Sequence, residues 1–276
     1  MTDYDATSER VSEDAYQSNA GDYLIYLFHI ATYEFARSHV TDKVVLDFGC
    51  GTGYGTHRLA DSASHITGID VAPGAVAFAR ERYLPQAERE GHALEYTRID
   101  PVELSPLPFP DNNFDTVLSF QVIEHVPSVA NYLAEIRRVL KPGGTFVCAT
   151  PDRRWRLFPH QRPFNVFHLE EWGPQEMEQL LAPVFDKTSL FGMTAPAEVI
   201  NIELSRCRKT RILTYPFTFP RAPERWRTGG LKLMKGLSAG TKVDAEGATK
   251  TFDFDLSDIC IAAQVSPSAN IITVSS

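Results

Sequence analysis

The sequence predicts an α/β fold: a mostly parallel sheet, doubly wound, with helices on both faces. Three observations predict it. Short apolar runs bounded by turn residues alternate with stretches of helical period. A glycine-rich turn, Asp47 to Gly53, joins one such run directly to a helix. Acids close three successive runs, at Asp47, Asp70 and Asp100. Alternation of this kind builds right-handed βαβ units, whose crossover helices cover the sheet.

The elements follow in order. Residues 1–20 are polar and acidic, which predicts a flexible tail and neither a signal nor a transit peptide. Leu24, Leu27, Phe28, Ala31 and Phe35 mark one face of a helix over Tyr23 to Ala36. KVVLDFG is a short buried strand, followed by a helix from Tyr54 to Ala60, the strand HITGID and a helix from Pro73 to Tyr83. Next come ALEYTRID as a strand, FDTVLSF as a strand, a helix from Val129 to Leu140, and the strand GTFVCAT. After Pro151 an irregular stretch rich in aromatics and Arg runs to HLEEW. A helix from Pro174 to Leu181 and the strand KTSLFGM restore regular structure, and DICIAAQV (Asp258 to Val265) is the last predicted strand. Residues 21–276 therefore read as one domain with an insertion at about 195–255. Pro/Phe turns (TYPFTFPRAP) and a basic helical piece (LKLMKGL) are expected in it.

Composition narrows the function classes. The 276 residues are 43% hydrophobic and 22% charged, which fits a globular protein. A net charge of −8 argues against a general nucleic-acid binder. That average hides a basic segment, Arg206 to Lys242, with ten Lys/Arg and a single acid. It reads as a lid over an acceptor pocket, as a surface for an anionic acceptor or membrane, or as a solvated face pairing with the acidic remainder. Four scattered cysteines form no disulfide framework and no CxxC metal pair. No apolar run reaches the roughly 20 residues of a membrane span. A cytoplasmic monomer or homodimer is expected.

The turn Asp47-Phe48-Gly49-Cys50-Gly51-Thr52-Gly53 carries the chemistry. Glycines let the backbone approach a ligand, and the following helix N-terminus favours negative charge beside it. The dinucleotide spacing G-x-G-x-x-G fails, because its third glycine would be Tyr54 or Thr56. A leading carboxylate suits a ligand with an α-ammonium and a sulfonium and would repel a pyrophosphate. That favours S-adenosylmethionine (SAM) over a nicotinamide dinucleotide. Asp70 is placed to accept from both ribose hydroxyls, and Asp100 from an exocyclic adenine amine. Each lone Asp also fits a helix cap or turn. The three together, at one sheet edge beside that loop, fit a ligand site better.

With these residues in place, the chain resembles class I SAM-dependent methyltransferases. In particular it resembles a bacterial group in which strand four reads like Phe114 to Val126 and strand five follows a turn like Arg137 to Gly144. The similarity spans about residues 20–195. It implies a seven-stranded sheet of order 3-2-1-4-5-7-6 with strand seven antiparallel. It also implies SAM contacts at Asp47, Gly49, Gly51, Asp70, Val71, Ile99, Asp100 and Gln121, with Gly53 closing the loop. FHIATYEFA and Asn165-Val166-Phe167-His168 resemble small methyltransferases of sugar, polysaccharide and glycolipid pathways, those of methylated mannose polysaccharides included. IEHV is similar to ubiquinone-type O-methyltransferases, in which a Glu-x-x-Glu-His cluster can hold a divalent metal. Gln121 stands at the first of those positions, so only Glu124 and His125 remain and a metal is not expected to be essential.

A hydroxyl acceptor calls for a general base, and histidine is the usual one. His168 in the irregular stretch and His125 after strand four are the candidates. His29 reads as a packed helix residue and His39 as a helix-end residue. Trp155, Trp172 and Phe164 could stack on sugar rings or simply pack. The expected function is methyl transfer from SAM to a hydroxyl of a sugar, oligosaccharide or similar small molecule. N- or C-methyl transfer, and SAM binding without catalysis, are the alternatives.

Overall fold

The computed structural model describes residues 19–101, 105–239, 252–263 and 266–276. The strands are β1 (Val44–Phe48), β2 (His65–Asp70), β3 (Leu94–Arg98), β4 (Phe114–Phe120), β5 (Leu140–Pro151), β6 (Thr188–Thr194), β7 (Cys260–Ala262) and β8 (Asn270–Ser275). They form one sheet of order β3-β2-β1-β4-β5-β8-β6-β7. β1 to β5 pair in parallel, and β8 runs antiparallel to both β5 and β6.

The sheet thus has eight strands and not seven, and the last strands differ from expectation. The antiparallel strand seated between β5 and β6 is NIITVS, at Asn270–Ser275, not DICIAAQV. Among its described residues only Cys260–Ala262 of the latter pairs, on the outer edge of β6, with Cys260 exposed. β8 is β-branched and almost wholly buried, because helices cover both faces of the sheet there. Its register, with Cys148 opposite Thr273 on one side and Leu190 opposite Thr273 on the other, comes from partners more than 80 residues away.

Helices α1 (Ala20–Val40), α2 (Tyr54–Leu59) and α3 (Pro73–Glu90) pack on one face around Leu24, Phe28, Val76 and Ala79. α4 (Val129–Val139) and α6 (Pro174–Leu181) pack on the other, around Tyr132, Ile136, Met177 and Leu181. α1 starts at Ala20, where the Asn19 side chain caps it by accepting from the Asp22 N–H at 3.0 Å. The tail predicted before it lies outside the described residues. α3 continues through Pro85 to Glu90, beyond the expected end at Tyr83. Pro85 is exposed, while Ala79, Tyr83 and Ala87 keep one buried stripe across it, so packing outweighs the lost hydrogen bond.

The stretch after β5 holds a short helix, α5 (Arg153–Arg156), capped by Asp152. The described part of the insertion is largely helical: α7 (Ala197–Thr218) takes in the first half of the expected turn region, and α8 (Glu224–Ala239) follows. α7 packs against α1, α5 and α8. Among the described residues no helix is long and apolar enough to cross a membrane.

Candidate active site

Alternation along β1 decides where its acid goes. Leu46 and Phe48 face the α4–α6 side, whereas Val45 and Asp47 face α1 and α2. Asp47 is fully buried there. Its Oδ2 accepts from Thr56 Oγ1 at 2.6 Å and from Tyr33 Oη at 3.2 Å, while its buried Oδ1 has no partner. Burial pushes the carboxyl up to about 6, against the pull of those two hydroxyls.

The turn that follows has Gly49, Gly51 and Gly53 all at positive φ. A side chain at Gly53 would lie within 2.8 Å of the Ala79 and Tyr96 side chains, so only glycine lets the turn seat against α3 and β3. A Cβ at Gly51 would meet nothing within 4 Å, which leaves that backbone open to a ligand. Asp70, half-buried at the end of β2, ties the loop down. Its two oxygens accept from the Gly51 N–H at 2.9 Å and the Ala72 N–H at 2.8 Å. The turn role weighed for a lone Asp is therefore real here. Each oxygen keeps a further lone pair for a ligand.

Val71 and Ile99 form an apolar margin next to it, and the Ile99 N–H donates to the Asp70 carbonyl at 3.0 Å. Asp100 lies further out, exposed and paired with Arg98 at 2.9 Å. Gln121 follows β4 at φ +58, beside Val122, whose side chain fills the space over Gly49. The residues expected to hold SAM thus gather at the carboxyl ends of β1 to β4, the edge where open α/β sheets bind ligands. The unpartnered Asp47 oxygen and the open Gly51 backbone fit a cationic, close-lying ligand such as SAM.

The two candidate histidines meet although 43 residues separate them. The loop carrying His168 is pinned on the 3₁₀ turn Ile123–His125: Leu169 N–H donates to the Glu124 carbonyl at 2.8 Å, and His125 Nδ1 lies 3.1 Å from the Phe167 carbonyl. Their rings are 4.7 Å apart, edge to face. His168 is buried, with Nδ1 2.6 Å from Glu171 Oε1. Burial alone would raise the Glu171 carboxyl, but the Arg156 charge and the His168 contact hold it at about 2. Arg156 Nε donates to its other oxygen at 2.9 Å.

Glu124 completes a cluster that the sequence reading left short of ligands. It is fully buried, with Oε2 accepting from Thr150 Oγ1 at 3.1 Å and Oε1 without a partner. Ligand atoms of Glu124, His125 and His168 all lie within 4.8 Å of one another. With both Nδ1 atoms engaged, each ring presents Nε2 as its free nitrogen. Those residues fit a divalent cation, with the Phe167 carbonyl and Glu171 as outer partners that orient the rings. His168 thus supplies the ligand that Gln121 does not.

A cavity of about 70 Å³ opens beside Gln121, lined by Phe28, His29, Arg156, Arg206 and Asn270 among others. His29, expected only to pack, lines it and is pushed down to about 4 by burial, with Nδ1 3.2 Å from Tyr54 Oη. The cavity's charges are internally matched. Arg206 forks onto Glu203 through two 2.6 Å contacts, and Arg156 is held by Glu171. Of the aromatics considered for stacking, Trp172 is buried in the core, Phe164 lies 4.8 Å from the Arg156 guanidinium, and Trp155 lines a different cleft. Buried Arg227 of α8, unmarked within its basic run, holds the loop that carries His168 by donating to the carbonyls of Pro163, Asn165 and His168 at 2.8–3.2 Å.

Comparison with known proteins agrees with this geometry. Residues 46–148 match the family described as "Methyltransferase domain". A probable S-adenosylmethionine-dependent methyltransferase of Mycolicibacterium smegmatis is 36% identical over 153 residues, 55% of either chain. A ubiquinone biosynthesis O-methyltransferase of Paramagnetospirillum magneticum is 39% identical over 109 residues, 40% of this chain and 41% of that one. The chain spans about half the length of the curated relatives it matches. Among solved structures, a SAM-dependent methyltransferase of Thermotoga maritima, titled a possible histamine N-methyltransferase, aligns over 92% of this chain and 91% of its own. Its TM-score is 0.55 at 14% identity. The [4+2]-cyclase SpnF aligns over 89% and 80%, with a TM-score of 0.53 at 18% identity. Likeness at these identities shows the fold alone. Residues 46–148 thus resemble a methyltransferase domain, and the Mycolicibacterium smegmatis relative that matches about half of the chain is a probable SAM-dependent methyltransferase.

Proposed function

We propose that the chain transfers a methyl group from SAM to a hydroxyl of a sugar, oligosaccharide or similar polyhydroxylated small molecule. The His125–His168 pair, joined to the cavity next to Gln121 through Glu171 and the cavity-lining Arg156, carries this reading. When bound, SAM supplies a methyl carbon on a sulfonium sulfur. The protein's task is to hold the acceptor oxygen in line with that carbon and to take its proton. His168 accepts the proton at Nε2, while Glu171 fixes Nδ1 and lies against the charge that forms. The internally paired arginines leave the cavity polar without net charge, which suits a neutral acceptor rich in hydroxyls. The test is a tritiated-methyl screen against oligosaccharides, phenols and amines. Labelling of amines alone would replace this reading with N-methylation.

Asp70 is assigned the ribose. Each hydrogen bond to a charged group is worth about 1.5–3 kcal/mol, so Asp70→Ala is expected to weaken SAM at least about tenfold in calorimetry. An unchanged dissociation constant would leave Asp70 as a turn residue only.

A second reading is favoured by the Glu124–His125–His168 cluster: a divalent cation held there would polarise the acceptor oxygen. The two are separated by chelation. With His168 as base, activity survives dialysis against EDTA. Complete loss that manganese or zinc restores, with about one equivalent of metal absent from His168→Ala, establishes the metal instead.

A further inference from the structure

A second cleft, of about 320 Å³, lies on the far side of α5 and α7 from the cavity at Gln121. Trp155 forms one wall. Asn201, Leu204, Ser205, Arg208 and Arg211 form the other, spaced at three and four residues along one face of α7. Glu203 and Arg206, which line the first cavity, belong to the opposite face of the same helix.

The two spaces differ in charge and in hydrogen-bond satisfaction. Every arginine lining the first is neutralised by a glutamate. No acid lines the second, and neither Arg208 nor Arg211 forms an ion pair among the described residues. Two donors at the second cleft are buried and unpartnered: the indole Nε1–H of Trp155 and the Nε–H of Arg211. Buried donors without an acceptor cost about 1–3 kcal/mol each, so the wall of this basic cleft gains when its side chains part to admit an acceptor. The Arg211 guanidinium is stacked 4.6 Å from the Phe158 ring centre, which orients its plane and leaves the in-plane N–H groups as its donors.

We propose that this cleft binds a phosphoryl group. Donors come from two helices, and two of them are guanidiniums, the fork that matches phosphate oxygens. A phosphoryl group offers three oxygens to donors lining one cleft, where a planar carboxylate offers two. Asn201 and Ser205 add uncharged donors at the open side. The site does not depend on methyl transfer. Its ligand is either a soluble phosphorylated molecule or the headgroup of an anionic lipid.

The full chain should be titrated with inorganic phosphate at constant ionic strength, chloride serving as the control. Phosphate binding above the chloride control is expected. It should weaken at least about tenfold in Arg211→Gln, and at least about threefold in Trp155→Phe, which keeps the ring and removes the N–H. Trp155→Phe and Arg208→Gln carry the test if Arg211→Gln does not fold by circular dichroism. In a second arm, phosphatidylcholine vesicles doped with phosphatidic acid are sedimented with the protein. Co-sedimentation that free phosphate competes away and Arg211→Gln abolishes assigns the headgroup. Phosphate binding without co-sedimentation assigns a soluble ligand. No phosphate effect beyond chloride together with no co-sedimentation overturns the proposal, and so does phosphate or vesicle binding that all three variants retain.

Discussion

Replacing His168 with alanine is expected to lower kcat by roughly 10²–10⁴ while leaving the SAM dissociation constant nearly unchanged. His168 is separated from the glycine loop by the 3₁₀ turn at Ile123–His125, so its removal does not touch the residues assigned to SAM. It does remove one partner of a buried glutamate. Glu171 keeps Arg156 at 2.9 Å, which limits the charge left uncompensated, so the variant should fold with reduced stability. Two companions sharpen the result. Glu171→Gln keeps the shape of the contact and removes its charge, and should lower kcat less than His168→Ala while shifting the pH–rate profile. A merely structural Glu171 would change stability and leave that profile in place. His125→Ala, with His168 intact, distinguishes which ring takes the proton. If His125→Ala shows the large loss and His168→Ala does not, the two roles exchange. If neither does, the acceptor needs no protein base, and nitrogen becomes the better acceptor atom.

Much of the loop proposed to hold SAM is legible in the sequence because it is local. The strand, turn and helix around Asp47–Gly53 are consecutive, and only glycine tolerates the backbone at Gly53. Asp70 follows from the same logic, since it stands at the end of an apolar run, whereas Gln121 is implied by the family resemblance alone. What resisted reading is held by distant contacts. NIITVS is a short run no more apolar than its neighbours, and only β5 and β6 make it the better strand. Nothing near Arg156, Glu171 or Arg227 in the chain marks them as partners of one loop, because their pairing is set by how α5 and α8 pack around residues 163–171. His29 fits helix packing by sequence, and it does pack. Its second face, toward the cavity, depends on α1 crossing the end of β5. Glu124 shows the same limit in chemical form. Gln121 in place of a carboxylate leaves the local motif one ligand short, whereas the third candidate ligand comes from a loop 43 residues beyond His125.

Asp47→Asn is expected to move stability and SAM affinity in opposite directions. The buried carboxyl titrates at about 6 in the fold against 3.8 for the free side chain. A carboxyl raised on folding contributes most to stability below its unfolded value, and that contribution is lost as pH rises through the folded one. Above pH 6 the ionised Asp47 therefore costs the ligand-free fold about 3 kcal/mol, from about 6 against 3.8 at 1.36 kcal/mol per pH unit. Asparagine carries no such cost and can still accept from Thr56 and Tyr33. It leaves an amide N–H group where the unpartnered Oδ1 was, which costs part of the gain. The net expectation is a protein more stable by about 1–2 kcal/mol at pH 7.5. The advantage over wild type should grow between pH 4 and 6 and stay level above. Comparing the two proteins at each pH is essential, because His29 runs the other way. Its value is lowered to about 4 from 6.5, so its contribution, present above 6.5, is lost as pH falls toward 4 in both proteins. SAM affinity is expected to fall at least about tenfold in Asp47→Asn, since the variant removes a negative charge from beside a cationic ligand. Thermal unfolding with and without SAM reads both effects at once: a higher midpoint without ligand and a smaller rise with it. A variant that is less stable and binds SAM as wild type would make Asp47 a bracket for α1 and α2 alone.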